Sequence, residues 1–262
     1  MNFLQYVLDV ILVSELSYLF YGFLVIAFGG YFLLAGGSFL YFYIFKKSEW
    51  MQAKIQEDIP TPANIWYEIK WSLSSTFIWV LFAVVIIVGI DQGIFKLYFD
   101  ISEFGRPYFI LSVVLLVLLH DTYFYWTHRF MHSSYTVFKL FHKTHHDSKN
   151  PTPFAIHAFG PLEAILYAAF IPLALFILPV HLFALLTWFL IETVVNVMGH
   201  LGHELFPLKI FRGGIGKWIN SPTHHNLHHQ ESRHGFGHYF NFWDRIMGTN
   251  HKNYDEILNH EH

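Results

Sequence analysis

The chain has 262 residues, 54% of them hydrophobic and 20% aromatic against 13% charged, with a formal net charge of −3. Soluble domains carry about 25% charged residues, so an ordinary soluble domain is excluded, as is a broad basic surface for nucleic acid. The lack of cysteine excludes disulfides, thiolate zinc sites, Cys-ligated iron–sulfur clusters and cysteine nucleophiles.

Residues 1–17 are too short and too acidic for a span and lack the basic start of a signal peptide, so they are expected at the membrane interface. Residues 18–45 contain no charge, and about 20 apolar residues suffice to cross roughly 30 Å of hydrocarbon. This first span holds Gly29-Gly30 and Gly36-Gly37, which permit close helix approach in lipid. A second span is expected over 73–90 and a third from Pro107 toward Trp126. Residues 162–198, uncharged from Ala164 to Ile191 with Pro179 near the middle, predict a tight helical hairpin.

The expected fold is therefore an all-α integral membrane helical bundle with four to five transmembrane helices. It is read as a single membrane domain over 1–262, with 1–119 mainly spans. Between the second and third spans only Lys96 and Arg106 are basic, and the other 14 basic residues fall on the opposite side. The positive-inside rule then makes the chain multi-pass with its later, histidine-rich region on the cytoplasmic side.

All 19 histidines lie at or after position 120. His128 and His132, four apart, share one face of a helix. Asp121, about two turns earlier, is a candidate to fix a histidine tautomer or to act as a direct ligand. His142, His145 and His146 form an H-x2-HH cluster, repeated by His225, His228 and His229. Each cluster is expected to present three nitrogens to a common point. Eight imidazoles exceed the three or four ligands of a mononuclear zinc site and make an inventory for two metal ions. Without thiolate, such a set suits iron, zinc, copper or nickel.

A ninth donor, His200, closes a face shared with Glu192 and Asn196. Asn196 and His203 are expected to orient ligands or hold a metal-bound water, with His203 equally suited to a cap. Glu192, inside an apolar run, needs a polar partner. His181 is expected at the interface near the hairpin tip, and His251, His260 and His262 in a polar tail. His120 should face another surface, and His224 breaks its neighbours' spacing.

Together, the motifs DTYFYWTHRFMH, FHKTHH, PTPFAIHAFGPLE, NVMGH, HHNLHH and WDRIMGT between Asp121 and Thr249 resemble the fatty acid hydroxylase and sterol desaturase superfamily of membrane non-haem di-iron oxidases. PTPFAIHAFGPLE and RHGFGHY look most like the sterol C-5 desaturase branch, although Gly160 stands where that branch has histidine. The resemblance implies a four-helix membrane core under a cytoplasmic helical cap, two Fe ions and O2 as co-substrate, with Zn as a substitute in purified protein. It implies His128, His132, His142, His145, His146, His200, His225, His228 and His229 as ligands, and places His157, His234 and His238 beside the ligands or the substrate. The implied reaction removes hydrogen from a C–H bond of a sterol or fatty acyl lipid.

The chain has no dinucleotide fingerprint and no room for a fused haem domain, so a separate electron donor of cytochrome b5 or ferredoxin type is required. Lys139, Lys143, Lys149, Lys209, Arg212 and Lys217 offer either a face for such an acidic carrier or lipid headgroup contacts. Tyr123, Phe124, Tyr125 and Trp126 suit either an interfacial belt or a channel lining. The rival function is a His-rich membrane metal transporter or metal-binding protein without oxidase activity, and confinement of the histidines to one side argues against it. A zinc hydrolase needs fewer ligands. Oligomeric state is not readable.

Overall fold

The structure, a computed structural model, describes residues 16–259. The interfacial segment expected before Leu16 and the tail residues His260 and His262 lie outside them.

Helix α1 (Leu16–Tyr31) continues through widened π turns at Phe32–Gly36 and Leu40–Phe45. Its inner face carries Tyr31, Ala35 and Tyr43. Helix α2 (Pro62–Asp91) starts at a capping box in which the Thr61 side chain accepts from Asn64 N–H, with Pro62 in the first turn. Helix α3 (Gly105–Met131) ends at His132. Two short helices follow, α4 (Tyr135–Phe141) and α5 (Lys143–His146). The hairpin comprises α6 (Pro161–Ala168), α7 (Phe170–Ile177) and α8 (Leu182–His200). Helices α9 (Pro222–Glu231), α10 (Phe242–Met247) and α11 (Tyr254–Asn259) complete the chain.

Four of these stretches, Ser17–Phe45, Pro62–Asp91, Gly105–Met131 and Leu182–His200, are long and apolar enough to cross a membrane. The chain is thus a multi-pass membrane protein. Its outer surface is inverted relative to a soluble protein: Val25, Leu33, Ile110 and Phe183 are each more than 60% exposed, as lipid-facing side chains are.

The hairpin departs from the expected tight pair. Its first arm, Pro161–Ile177, falls short of the other four and breaks after Ala168, because Pro172 lacks an N–H and its ring clashes with the carbonyl four residues back. The arms also splay: α6 packs on α2, while α7 and α8 both pack on α3. They rejoin through a core of Leu116, Phe170, Ala174, Leu175, Ala184 and Trp188. At the tip, a two-residue parallel ladder pairs β1 (Leu97–Tyr98) with β2 (Val180–His181). His181 is buried there at the hairpin tip, its Nε2 3.0 Å from the Phe99 carbonyl.

An irregular segment, 151–160, is buried at the opposite end of the bundle, where unsatisfied backbone would be costly. A polar stripe on α2 resolves that cost. Ser72 Oγ donates to Phe154 O (2.7 Å) and Ser75 Oγ to Phe159 O (2.9 Å). Thr152 donates through Oγ1 and N–H to Glu68, and Thr76 meets His157. This segment packs against α1, α2 and α8 and sets the floor beneath the histidines.

Candidate metal centre

Each histidine-bearing segment is fixed by its local sequence. Helix α3 carries His128 one turn before its end, and the His132 N–H bonds back to His128 O (3.2 Å). Ser134 caps α4. His142 sits at the bend between α4 and α5, with φ −123° breaking the helix so that α5 turns His145 and His146 inward. His200 is the last residue of α8. Helix α9 starts with Ser221 as cap and Pro222 in its first turn, and stops at Ser232 in the left-handed region, φ +57°.

Two groups result. His128, His132, His142, His146 and His228 each offer a ligand nitrogen, all within 4.8 Å of one another, and His145, His200, His225 and His229 do the same. The structure brings together all nine histidines implied as ligands. It does not divide them by sequence cluster as expected. In each H-x2-HH run the i and i+4 residues go to one group and the i+3 residue to the other. Residues i and i+4 differ by about 40° around a helix whereas i+3 and i+4 differ by about 100°, so a run between two centres serves both. The groups adjoin, with His146 and His229 rings 5.0 Å apart.

The outer nitrogens define the inner ones. His128 Nδ1 lies 3.0 Å from Phe236 O, His228 Nδ1 2.7 Å from His234 O, His200 Nδ1 2.9 Å from Asn196 O and His229 Nδ1 3.0 Å from Ser148 O. A carbonyl only accepts, so each Nδ1 carries the proton and each Nε2 of the neutral ring points inward as a lone pair. Inside, Nε2 atoms face one another: His142 with His128 and His146 with His228 at 2.9 Å, His225 with His200 and with His229 at 3.1 Å.

Lone pairs at such distances repel unless a cation lies between them. Protonation is disfavoured: burial first, and neighbouring imidazoles second, push His142, His145, His146, His225, His228 and His229 well below the ordinary histidine range. Burial brings His132 down to about 4, and its Nε2 is buried without a partner. The donor set fits two metal ions, with hard-to-protonate neutral nitrogen throughout.

The other expected site residues lie outside both groups. Asp121 Oδ1 accepts the backbone N–H groups of Tyr239 (2.9 Å) and Phe240 (3.1 Å) instead of touching a histidine. Asp244 performs the same task for Phe236 (2.9 Å) and Gly237 (2.7 Å). Between them the two carboxylates clamp the loop whose His234 and Phe236 carbonyls orient His228 and His128. Asn196 Nδ2 donates to Ile156 O (3.0 Å) and to Glu192 (3.3 Å). His157 packs against Trp79, ring centroids 4.5 Å apart, and burial lowers it to about 3. His203 donates to Leu201 O (3.1 Å).

His120 meets the Tyr239 hydroxyl and His224 lies 3.3 Å from Asn250 Oδ1, neither joining a group. Of the aromatics after Asp121, Tyr125 is buried, Trp126 is exposed, and Phe124 stacks flat on Tyr167 with an edge toward His128.

The acid that does fix a histidine is Glu163, fully buried, its Oε1 2.5 Å from His142 Nδ1. The signal for it was a lone carboxylate opening 28 uncharged residues. A cavity of about 90 Å³ reaches the second group, lined by His200, His225, Asn196, His238, Met198 and Ile219 among others.

The fatty acid hydroxylase profile matches residues 113–249. Lathosterol oxidase of Rattus norvegicus is 36% identical over 160 residues, 60% of this chain and 52% of that protein. A Delta(7)-sterol 5(6)-desaturase of Schizosaccharomyces pombe is 30% identical over 220 residues, 84% of this chain and 69% of that protein. One from Leptosphaeria maculans is 30% identical over 235 residues, 88% and 61% respectively. The chain spans about half the length of the lathosterol oxidases it matches. No solved structure matches it.

Proposed function

The chain belongs to the fatty acid hydroxylase family, and from that premise we propose that it is a di-iron, O2-dependent oxidoreductase that desaturates or hydroxylates a membrane lipid. A sterol is the substrate class favoured by the relatives' names. The observation that carries this reading is the pair of adjoining groups of five and four inward-facing imidazole nitrogens. His128, His132, His142, His146 and His228 would hold one iron, and His145, His200, His225 and His229 the other.

When bound, the irons would supply O2 activation and an oxidant able to take hydrogen from an unactivated C–H bond. The chain's own residues do the rest. Glu163 and the carbonyls of Phe236, His234, Asn196 and Ser148 hold Nδ1 protons, keeping Nε2 free for metal. Phe124 and Tyr167, stacked 5.1 Å apart, form an apolar wall beside His128 that excludes water. A set without thiolate contains nothing that the oxidant would consume first. The cavity beside His200 and His225, lined also by Val195 and Met198 of α8, marks where a lipid C–H bond would approach the second group.

Both groups lie at the ends of α3 and α8, on the side that the basic residues assign to the cytoplasm. The electron donor would be a separate acidic carrier of cytochrome b5 or ferredoxin type. Lys143 pairs with Asp147 at 2.6 Å and Arg212 donates to Leu258 O, so the exposed lysines of that set that remain for it are Lys139, Lys149, Lys209 and Lys217. A metal conduit needs ligands strung through the bundle, and among the described residues both groups sit at one end.

Comparative lipid mass spectrometry of cells with and without the protein, in air, tests the function. Loss of two hydrogens identifies desaturation and gain of one oxygen identifies hydroxylation. Unchanged lipids alongside metal-loaded protein would overturn the oxidase reading.

A further inference from the structure

Helix α10 does not sit on top of the bundle. Its Trp243 Nε1 donates to Thr122 Oγ1 on α3 (3.2 Å), and its ring packs against Trp126 at 5.7 Å. Thr122 lies nine residues before the end of α3, about 13 Å down the helix at 1.5 Å per residue, and six residues below His128. Helix α10 therefore flanks a membrane-spanning helix at a level beneath the histidine groups. Beside it, α3 exposes Leu118, Leu119 and Trp126, and α10 itself exposes Phe242 and Ile246, the latter 57%.

The surface continues through Trp218, whose ring contacts Phe242 at 6.1 Å, into the turns Leu208–Phe211 and Gly216–Trp218. There Ile210 is half exposed and Ile215 is 82% exposed. Flanking them in sequence are Lys209 and Lys217, the latter with Nζ 5.0 Å over the Trp218 ring. No acidic residue occurs from Leu205 to Gln230.

We propose that α10 and the turns from Leu208 to Trp218 form an interfacial membrane-docking surface whose apolar side chains enter the acyl boundary and whose lysines take anionic lipid headgroups. Exposed apolar residues, an amphipathic tryptophan and interleaved lysines are the composition of such a surface. Its continuity with the lipid-facing side of α3 fixes its depth, and charge favours phosphate-bearing lipid over a neutral partner. Ile219, the next residue, lines the cavity beside His200, so docking here holds the cavity mouth at the bilayer surface. That consequence rests on the oxidase reading; the docking itself does not.

The absence of cysteine permits a direct test on the full chain in liposomes. Ile215→Cys, Ile246→Cys and, as an exposed control, Glu57→Cys are each labelled with bimane. Brominated acyl chains should quench the label at 215 and 246 at least about twofold more than at 57, as interfacial side chains require. Phosphatidylglycerol should increase that quenching over phosphatidylcholine alone, and K209Q/K217Q should abolish the increase while metal content stays unchanged. Equal quenching at all three sites would overturn the proposal. So would labels at 215 and 246 shielded from both brominated lipid and aqueous iodide, which would assign the surface to a protein partner. Neither readout requires turnover, so a failed oxidase reading leaves this test standing.

Discussion

A single buried carboxylate tests the histidine arrangement most directly. Glu163 bonds to His142 Nδ1 from a site with no solvent access, and an outer partner that orients a ligating histidine is worth about 10–100-fold in metal affinity. Glu163→Ala should weaken metal binding by that factor in chelator competition, and Glu163→Gln, which still accepts the hydrogen bond, should weaken it less; equal affinity in all three proteins would dismiss the role. Acid should act on the whole set. The imidazoles are neutral in the fold, His132 down to about 4 and others lower in direction through burial, whereas in the unfolded chain they titrate near 6.5. The unfolded state binds more protons as pH falls, so stability present above about 6.5 is lost between there and about 4. Thermal unfolding of metal-free protein should drop across that window, and a flat profile would contradict it. The histidines were legible because nothing else in an apolar chain explains them. Glu163 was harder, because its partner is 21 residues away and only the fold brings them together.

At the scale of elements, the four spans follow from uncharged length, and the hairpin from Pro179 and its flanks. What spacing alone misjudged was convergence: an H-x2-HH run looks like one donor set until a second centre lies on its other side. Equally hidden was the reason for polar residues in α2. Glu68 and Ser72 lie before the span expected over 73–90 and Ser75 within it, yet all three satisfy the backbone of 152–159, a segment whose burial no local pattern announces. The clamp on the 234–240 loop is similar, since Asp121 and Asp244 act on peptide N–H groups far away in sequence. The loop's close approach requires Gly237, where an added Cβ would lie 2.1 Å from Phe240 O. Gly237→Ala must shift this backbone, at about 1–3 kcal/mol for overpacking, and with it the carbonyls that orient His128 and His228. A lowered melting temperature with metal lost from the five-histidine group is expected; unaltered metal content and stability would mean that the loop does not hold the site.

For the molecule as a whole, the two groups lie at the ends of the membrane-capable helices α3 and α8, where the proposed lipid substrate would reach them without extraction into water. Gently purified protein should then hold about two metal ions per chain, one for each set of at least three nitrogen ligands. His145 belongs to the four-member group and His228 to the five-member group, so the two can be probed separately. His145→Ala leaves three nitrogens on one side and His228→Ala leaves four on the other, so the first should lose more metal by mass spectrometric metal analysis. Both should abolish lipid oxidation, because the chemistry needs the pair, while membrane insertion persists, because the spans owe nothing to these side chains. Lipid turnover retained by either variant would remove that residue from the ligand set. A stoichiometry of one or fewer in the unaltered protein would replace the dinuclear arrangement with a single working centre.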